Sequence, residues 1–102
     1  MKTEVAILHK EYPETVRDLA VSKIEHLIRY FDGTVSIRAV LERQKEEHRV
    51  ELVANVRQGV VLVVDAKETT VGAALDEAVD RMRRVLRRHK DKIKDKRKGR
   101  GK

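Results

Sequence analysis

Thirteen arginines and lysines lie between Arg81 and Lys102 against two acids, Asp91 and Asp95, a net charge of +11 over that stretch. The first 80 residues carry 11 basic and 15 acidic side chains, a net of −4. The chain is therefore a mildly acidic body carrying a cationic end, which suits a polyanionic partner. The spacing of the cations matters as much as their number. Arg81, Arg84, Arg88 and Lys92 recur at three- and four-residue intervals, as do Arg83, Arg87, Lys90 and Lys94. On a helix these two sets form two basic flanks beside one apolar arc. Compensation of a helix dipole at its C-terminus needs only a few cations. Eight exceed that need and point to contacts with backbone phosphates. Arginine outnumbers lysine among them, which favours bidentate phosphate binding.

An earlier segment adds Lys23, His26 and Arg29. Lys23 falls between Leu19 and Leu27 at the edge of an apolar arc, so its stem must lie on the core while its ammonium reaches outward. His26 and Arg29 lie on the exposed side and extend a basic patch. Aromatic residues make up 3% of the chain, namely Tyr12, Tyr30 and Phe31. Stacking on unpaired bases is thus not the main mode, and recognition of phosphates and duplex shape is expected.

Catalytic chemistry finds little footing. The four histidines, His9, His26, His48 and His89, sit in separate segments without metal-ligand spacing, and His89 falls on an apolar arc. Gly33, Gly59 and Gly72 are isolated and form no phosphate loop. Ser22 and Ser36 have no partner base nearby in sequence, and no cysteine is present. The expectation is a non-enzyme with no cofactor, metal or small-molecule substrate. No apolar run approaches the roughly 18 residues of a membrane span. No basic segment leads into an apolar one at the N-terminus. The cytoplasm is the expected compartment.

The elements that must carry these residues follow from periodicity. Val5, Ala6, Ile7 and Leu8 form a short strand-like run within Thr3 to His9. Pro13 then fits the start of a helix over Glu14 to Phe31. Its apolar positions Val16, Leu19, Ala20, Ile24, Leu27, Ile28 and Phe31 keep helical spacing. Asp32-Gly33 reads as its stop. Val35 to Glu42, Val50 to Arg57 and Val60 to Val64 read as three strands joined at Lys45-Glu46-Glu47 and Gln58-Gly59, an antiparallel meander. Val40, Val53, Val61 and Val63 fall on its outward face. Thr69 or Thr70 caps a second helix, whose arc is Val71, Ala74, Leu75, Ala78, Val79, Met82, Val85, Leu86, His89 and Ile93. The expected fold is α+β, a β-α-β-β-β-α two-layer sandwich with both helices on one face of a four-stranded sheet. The first strand pairs parallel or antiparallel to a meander strand; periodicity leaves that open. One domain over residues 1–93 and a basic, disordered tail over residues 94–102 are expected.

Taken in order, several stretches resemble a known family. These are Lys23 through Tyr30-Phe31-Asp32, then Ala73-Ala74-Leu75-Asp76, and His89-Lys90-Asp91-Lys92-Ile93-Lys94. Together with the element order they resemble the ribosome hibernation-promoting factors, also called ribosome-associated inhibitor or ribosomal subunit-interface proteins, over residues 3–96. The resemblance implies a fold similar to a double-stranded-RNA-binding domain. It also implies binding to the small ribosomal subunit, through ribosomal RNA and neighbouring ribosomal proteins. There the protein would block the messenger and transfer RNA sites of the decoding region and silence translation under stress. RNA contacts are then expected at Lys23, His26, Arg29, Arg81, Arg84, Arg87, Arg88, Lys90, Lys92 and Lys94. The protein is expected to be a monomer off the ribosome and a short form of the family. It departs from the family at Ile7-Leu8-His9-Lys10, where a glycine and a polar or basic residue are usual, and at Gly72, where an aromatic is usual. A general double-stranded-RNA-binding regulator is the alternative. A protein-interaction domain using the valine-bearing sheet face is a third reading, and a peripheral membrane protein a fourth.

Overall fold

A computed structural model describes residues 2–7, 12–30 and 34–100, with side chains described within 12–29, 34, 36–57 and 59–92. Strand β1 (Lys2–Ile7) leads into helix α1 (Glu14–Tyr30). Strands β2 (Thr34–Gln44), β3 (Glu47–Val56) and β4 (Val60–Glu68) follow, and helix α2 (Val71–Arg100) closes the chain. Among the described residues the strands form one sheet in the order β1-β2-β3-β4. The meander β2-β3-β4 is antiparallel, and β1 lies parallel to β2 with Val5 opposite Ala39. A parallel pair needs a crossover between its strands, which α1 supplies.

Alternation along the strands decides which face is covered. Ile37, Ala39 and Leu41 of β2, Val50, Leu52, Ala54 and Val56 of β3, and Ala66 of β4 are buried. Onto them pack Ala20, Ile24, Leu27 and Ile28 of α1 and Ala74, Leu75, Ala78, Met82 and Leu86 of α2. Both helices thus sit on one face, a two-layer α+β arrangement. Leu19, expected in the apolar arc of α1, is 41% exposed, because it lies at the rim of that arc rather than over the sheet. Val61 and Val63, on the opposite sheet face, are more than half exposed.

Local signals set the ends of the elements. The Pro13 carbonyl accepts the Val16 amide at 3.0 Å, one turn into α1. The Thr70 hydroxyl accepts the Ala73 amide at 3.2 Å, so Thr70 is the N-cap of α2. Lys45 takes a φ of +58° in the tight connection between β2 and β3, and Gly59 a φ of +74° before β4. The Tyr12 hydroxyl and His48 Nδ1 share a hydrogen bond at 2.5 Å, tying the approach to α1 to the start of β3. Burial pushes the Tyr12 phenol above its ordinary value, with Arg43 pulling it back down.

Three boundaries bear on the expectations. Strand β4 runs on to Glu68 rather than ending at Val64, because Asp65 and Lys67 point outward around the buried Ala66 and so continue the alternation. The backbone of α2 runs to Arg100, past the Ile93 boundary expected from the apolar arc. Lysine and arginine are strong helix formers, and no glycine or proline stands between Gly72 and Gly99. The expected stop at Asp32-Gly33 lies outside the described residues.

The two helix- and turn-associated glycines separate in their expected behaviour. A Cβ at Gly72 or at Gly59 meets no atom within 4 Å, but Gly59 alone has a positive φ. Gly72→Ala is expected to stabilise the domain by about 0.4–1 kcal/mol through the unfolded state. Gly59→Ala is expected to destabilise it by about 1–2 kcal/mol through the left-handed backbone. Thermal or urea melts of the two variants read the opposite signs.

Candidate nucleic-acid interface

Seating α2 on the sheet through Leu75, Ala78, Met82 and Leu86 fixes where its other residues face. Leu86 is the last buried residue of α2 among those described, while Arg87, Arg88, Lys90, Asp91 and Lys92 are exposed. The helix has 30 residues, so at about 1.5 Å per residue it is roughly 45 Å long. The molecule extends 56 × 23 × 19 Å. The basic end of α2 therefore projects past the layer that buries its first half.

The expected contact residues divide into two groups. Lys23 of α1, 30% exposed, is ion-paired with Asp76 of α2. Arg81 pairs with Glu77 one turn earlier, and its Nη1 donates to the backbone carbonyl of Asp65 in the edge strand β4 at 2.5 Å. Arg84 pairs with Asp80 at 2.8 Å. These three cations are engaged within the fold. Arg81 in particular links α2 to the sheet edge, where an unpaired strand invites association. By contrast, Arg87, Arg88, Lys90 and Lys92 have no carboxylate partner among the described residues, and neither do His26 and Arg29 of α1. The backbone of Lys94 is helical, and its side chain lies outside those described. His89 is half-buried on the apolar side of α2.

A cleft between the two helices completes the geometry. Ser22, Lys23 and His26 of α1 face Asp76, Val79, Asp80 and Arg83 of α2 across an open cleft of about 510 Å³. Arg83 is exposed there, with no carboxylate partner among the described residues. Its three- and four-residue spacing to Asp80 and Arg87 was the available signal. The partnership of Lys23 with Asp76, 53 positions apart, has no signal in local spacing.

The opposite sheet face has a different character. Arg49 of β3 reaches Glu51 at 3.2 Å, Asp65 of β4 at 3.4 Å and Glu42 of β2 at 3.8 Å, so three carboxylates surround one guanidinium. That face is valine-bearing and mixed in charge, with Arg38 and Lys67 exposed on it and Arg49 held among its carboxylates. Among the described residues no cluster of three or more metal-ligating side chains occurs, and no helix is long and apolar enough to cross a membrane.

The Glu77 carboxylate has a second neighbour. A side-chain hydrogen bond to Glu77 and the repulsion of its charge raise the Glu68 carboxyl above its ordinary value, with smaller contributions from desolvation and Glu47, against the pull of Arg81. A carboxyl raised in the folded state binds its proton more tightly there than in the unfolded chain. Its favourable contribution is therefore present at acid pH and is lost as pH climbs from the ordinary value near 4.5 through the raised one. Glu68→Gln is expected to flatten that loss and to raise the thermal midpoint at neutral pH relative to the parent, read by melts taken across the acid-to-neutral range.

Comparison with known proteins places this arrangement. The profile of the Sigma 54 modulation protein / S30EA ribosomal protein family matches residues 4–94. The ribosome hibernation promoting factor of Escherichia coli is 31% identical over 84 residues, covering 82% of this chain and 87% of that protein. The ribosome hibernation promoting factor of Pseudomonas putida is 26% identical over 92 residues, covering 90% and 89%. The solved N-terminal domain of Thermus thermophilus Protein Y superposes with a TM-score of 0.75 at 27% identity, covering 87% of this chain and 99% of that one. On a profile match spanning nearly all of its folded residues, the chain belongs to the Sigma 54 modulation protein / S30EA ribosomal protein family.

Proposed function

We propose that this protein is a ribosome hibernation factor that binds the small ribosomal subunit at the decoding region and silences translation under stress by occupying the messenger and transfer RNA sites. The observation that carries the reading is the projecting half of α2. Arg83, Arg87, Arg88, Lys90 and Lys92 are exposed there without carboxylate partners among the described residues. Relatives from Escherichia coli and Pseudomonas putida bear the name ribosome hibernation promoting factor. The β-α-β-β-β-α order is, on this reading, a double-stranded-RNA-binding-domain-like frame that presents α2 to ribosomal RNA. Residues 1–93 act as a single RNA-binding domain, the basic residues 94–102 extend its reach, and the protein is a cytoplasmic monomer off the ribosome.

The mechanism is steric competition with no chemical step. Affinity comes from phosphates neutralised by the unpaired cations, with His26 and Arg29 of α1 extending the patch and Lys23, Arg81 and Arg84 joining where their carboxylates yield. Each phosphate neutralised releases condensed counterions, so binding weakens as salt rises.

Co-sedimentation with purified ribosomes tests the reading. Stoichiometric pelleting is expected at low salt, weakened by high salt and excluded when messenger and initiator transfer RNA are already bound. Pelleting indifferent to occupancy would instead favour a general duplex-RNA regulator. Arg87→Glu with Arg88→Glu is expected to weaken pelleting by roughly one to two orders of magnitude, since a hydrogen bond to a charged group is worth about 1.5–3 kcal/mol. The melting midpoint should not fall, since both side chains are exposed and without carboxylate partners among the described residues. Undiminished pelleting of that variant would remove α2 as the contact surface.

A further inference from the structure

The acids of α2 are placed with a pattern that helix stability alone does not require. Glu77–Arg81 and Asp80–Arg84 are ordinary pairs, with the acid one turn before the base. Asp76 is different. Its own neighbour one turn on is Asp80, a like charge, and its carboxylate reaches instead to Lys23 on α1. Asp76 and Asp80 both line the cleft between the helices, with Ser22, Lys23, His26 and Arg83. Read along this flank of α2 at three- and four-residue spacing, the row is Asp76, Asp80, Arg83, Arg87, Lys90. Acids stand where α1 lies alongside, Arg83 closes the cleft, and further unpaired bases follow where α2 runs on.

We propose that Asp76 and Asp80 are specificity-determining residues that stand in for RNA phosphates on Lys23 and Arg84. The inference rests on the RNA-binding reading above and names the device that restricts it. An RNA backbone lying along the free end of α2 meets uncompensated cations. Where it approaches the cleft it meets two carboxylates beside Arg83 and His26, while Lys23 in the cleft and Arg84 on the neighbouring flank are already paired. Replacing a carboxylate by a phosphate on the same cation gains little, and the displaced acid stays nearby to repel the newcomer. A generic duplex therefore settles on Arg83 and the free end of α2 without engaging Lys23 or Arg84. A partner whose shape brings phosphates against Lys23 in the cleft and Arg84 on the neighbouring flank, while it also holds the far end of α2, recruits two further cations. Rejecting the wrong partner through placed repulsion is a general route to selectivity.

The test compares Asp76→Asn/Asp80→Asn with the parent and with Asp18→Asn/Glu25→Gln. The latter pair makes the same change in net charge at exposed α1 positions outside the cleft. Binding to a synthetic RNA duplex of about 16 base pairs, the span of a double-stranded-RNA-binding domain, is followed by fluorescence anisotropy over a range of salt. The cleft variant is expected to bind the duplex about tenfold or more tightly, with a salt slope steeper by about one to two as Lys23 and Arg84 join the footprint. Its preference for ribosomes over duplex should fall accordingly. An unchanged slope, an equal gain in the α1 control, or no duplex binding by either cleft variant or parent would each overturn the proposal. Failure of the parent to pellet with ribosomes would overturn the functional reading instead, and the duplex comparison would still decide the role of Asp76 and Asp80.

Discussion

The burial of one stripe of α2 against β3 and β4 governs the rest of the molecule. Leu75, Ala78, Met82 and Leu86 are inaccessible or nearly so, and a large apolar side chain buried in this way contributes on the order of 1.5–3 kcal/mol. The exposed ion pairs around them are worth about 0–1 kcal/mol each. Packing therefore sets the rotation of the helix, and the charges take the places that rotation leaves. Turning α2 by one residue would carry Asp76 away from Lys23 and drive an arginine toward the sheet. The arrangement of acids at the cleft and bases at the projecting end follows from one apolar contact.

Beyond Leu86 the helix is held by its own backbone and by continuity with the seated half. That end is electrostatically unfavourable in isolation. Arg83 and Arg87, Arg84 and Arg88, and Arg88 and Lys92 are like charges one turn apart, and each such pair costs a few tenths of a kcal/mol. The favourable interaction of cations with the helix C-terminus offsets part of this. A segment that breaks a local rule while the rest of the chain obeys it marks the place where function imposes itself. Phosphates arriving along α2 would relieve the repulsion, so binding and helix order reinforce each other there.

Much of the fold was legible from spacing. The helical arcs of Ala20, Ile24, Leu27 and Ile28 and of Ala74, Leu75, Ala78, Met82 and Leu86 are the buried faces observed. Alternation along β2 and β3 separated inner from outer residues, and Thr70 stands as the cap. Three features were not legible. The parallel pairing of β1 with β2 depends on which edge of the meander is vacant, which periodicity does not report. The continuous β-branched run marks β4 only as far as Val64, and its extension to Glu68 shows once Ala66 is seen to be buried in the core. The contact residues were harder still. A helical wheel shows that Lys23, Arg81 and Arg84 are cations at an edge, but not that Asp76, Glu77 and Asp80 already hold them. The bond of Arg81 to the Asp65 carbonyl depends on how helix and strand meet in space.

The two faces of the sheet complete the argument for a one-sided partner. On the open face Arg49 is enclosed by Glu42, Glu51 and Asp65, and Val61 and Val63 stand exposed at the β4 end. That face offers a polyanion no row of cations comparable with the projecting end of α2. On the helical face the cations beyond Leu86 form no ion pair among the described residues. The dipole of the sequence, a net −4 over the first 80 residues and +11 over the last 22, is thus carried into three dimensions as a direction. An acidic body faces away while a basic helix end leads, which orients an approaching molecule before any contact is made. Orientation by the long-range field and exclusion by the carboxylates of the cleft act in sequence, the first bringing α2 to phosphates and the second limiting how far along it they can settle.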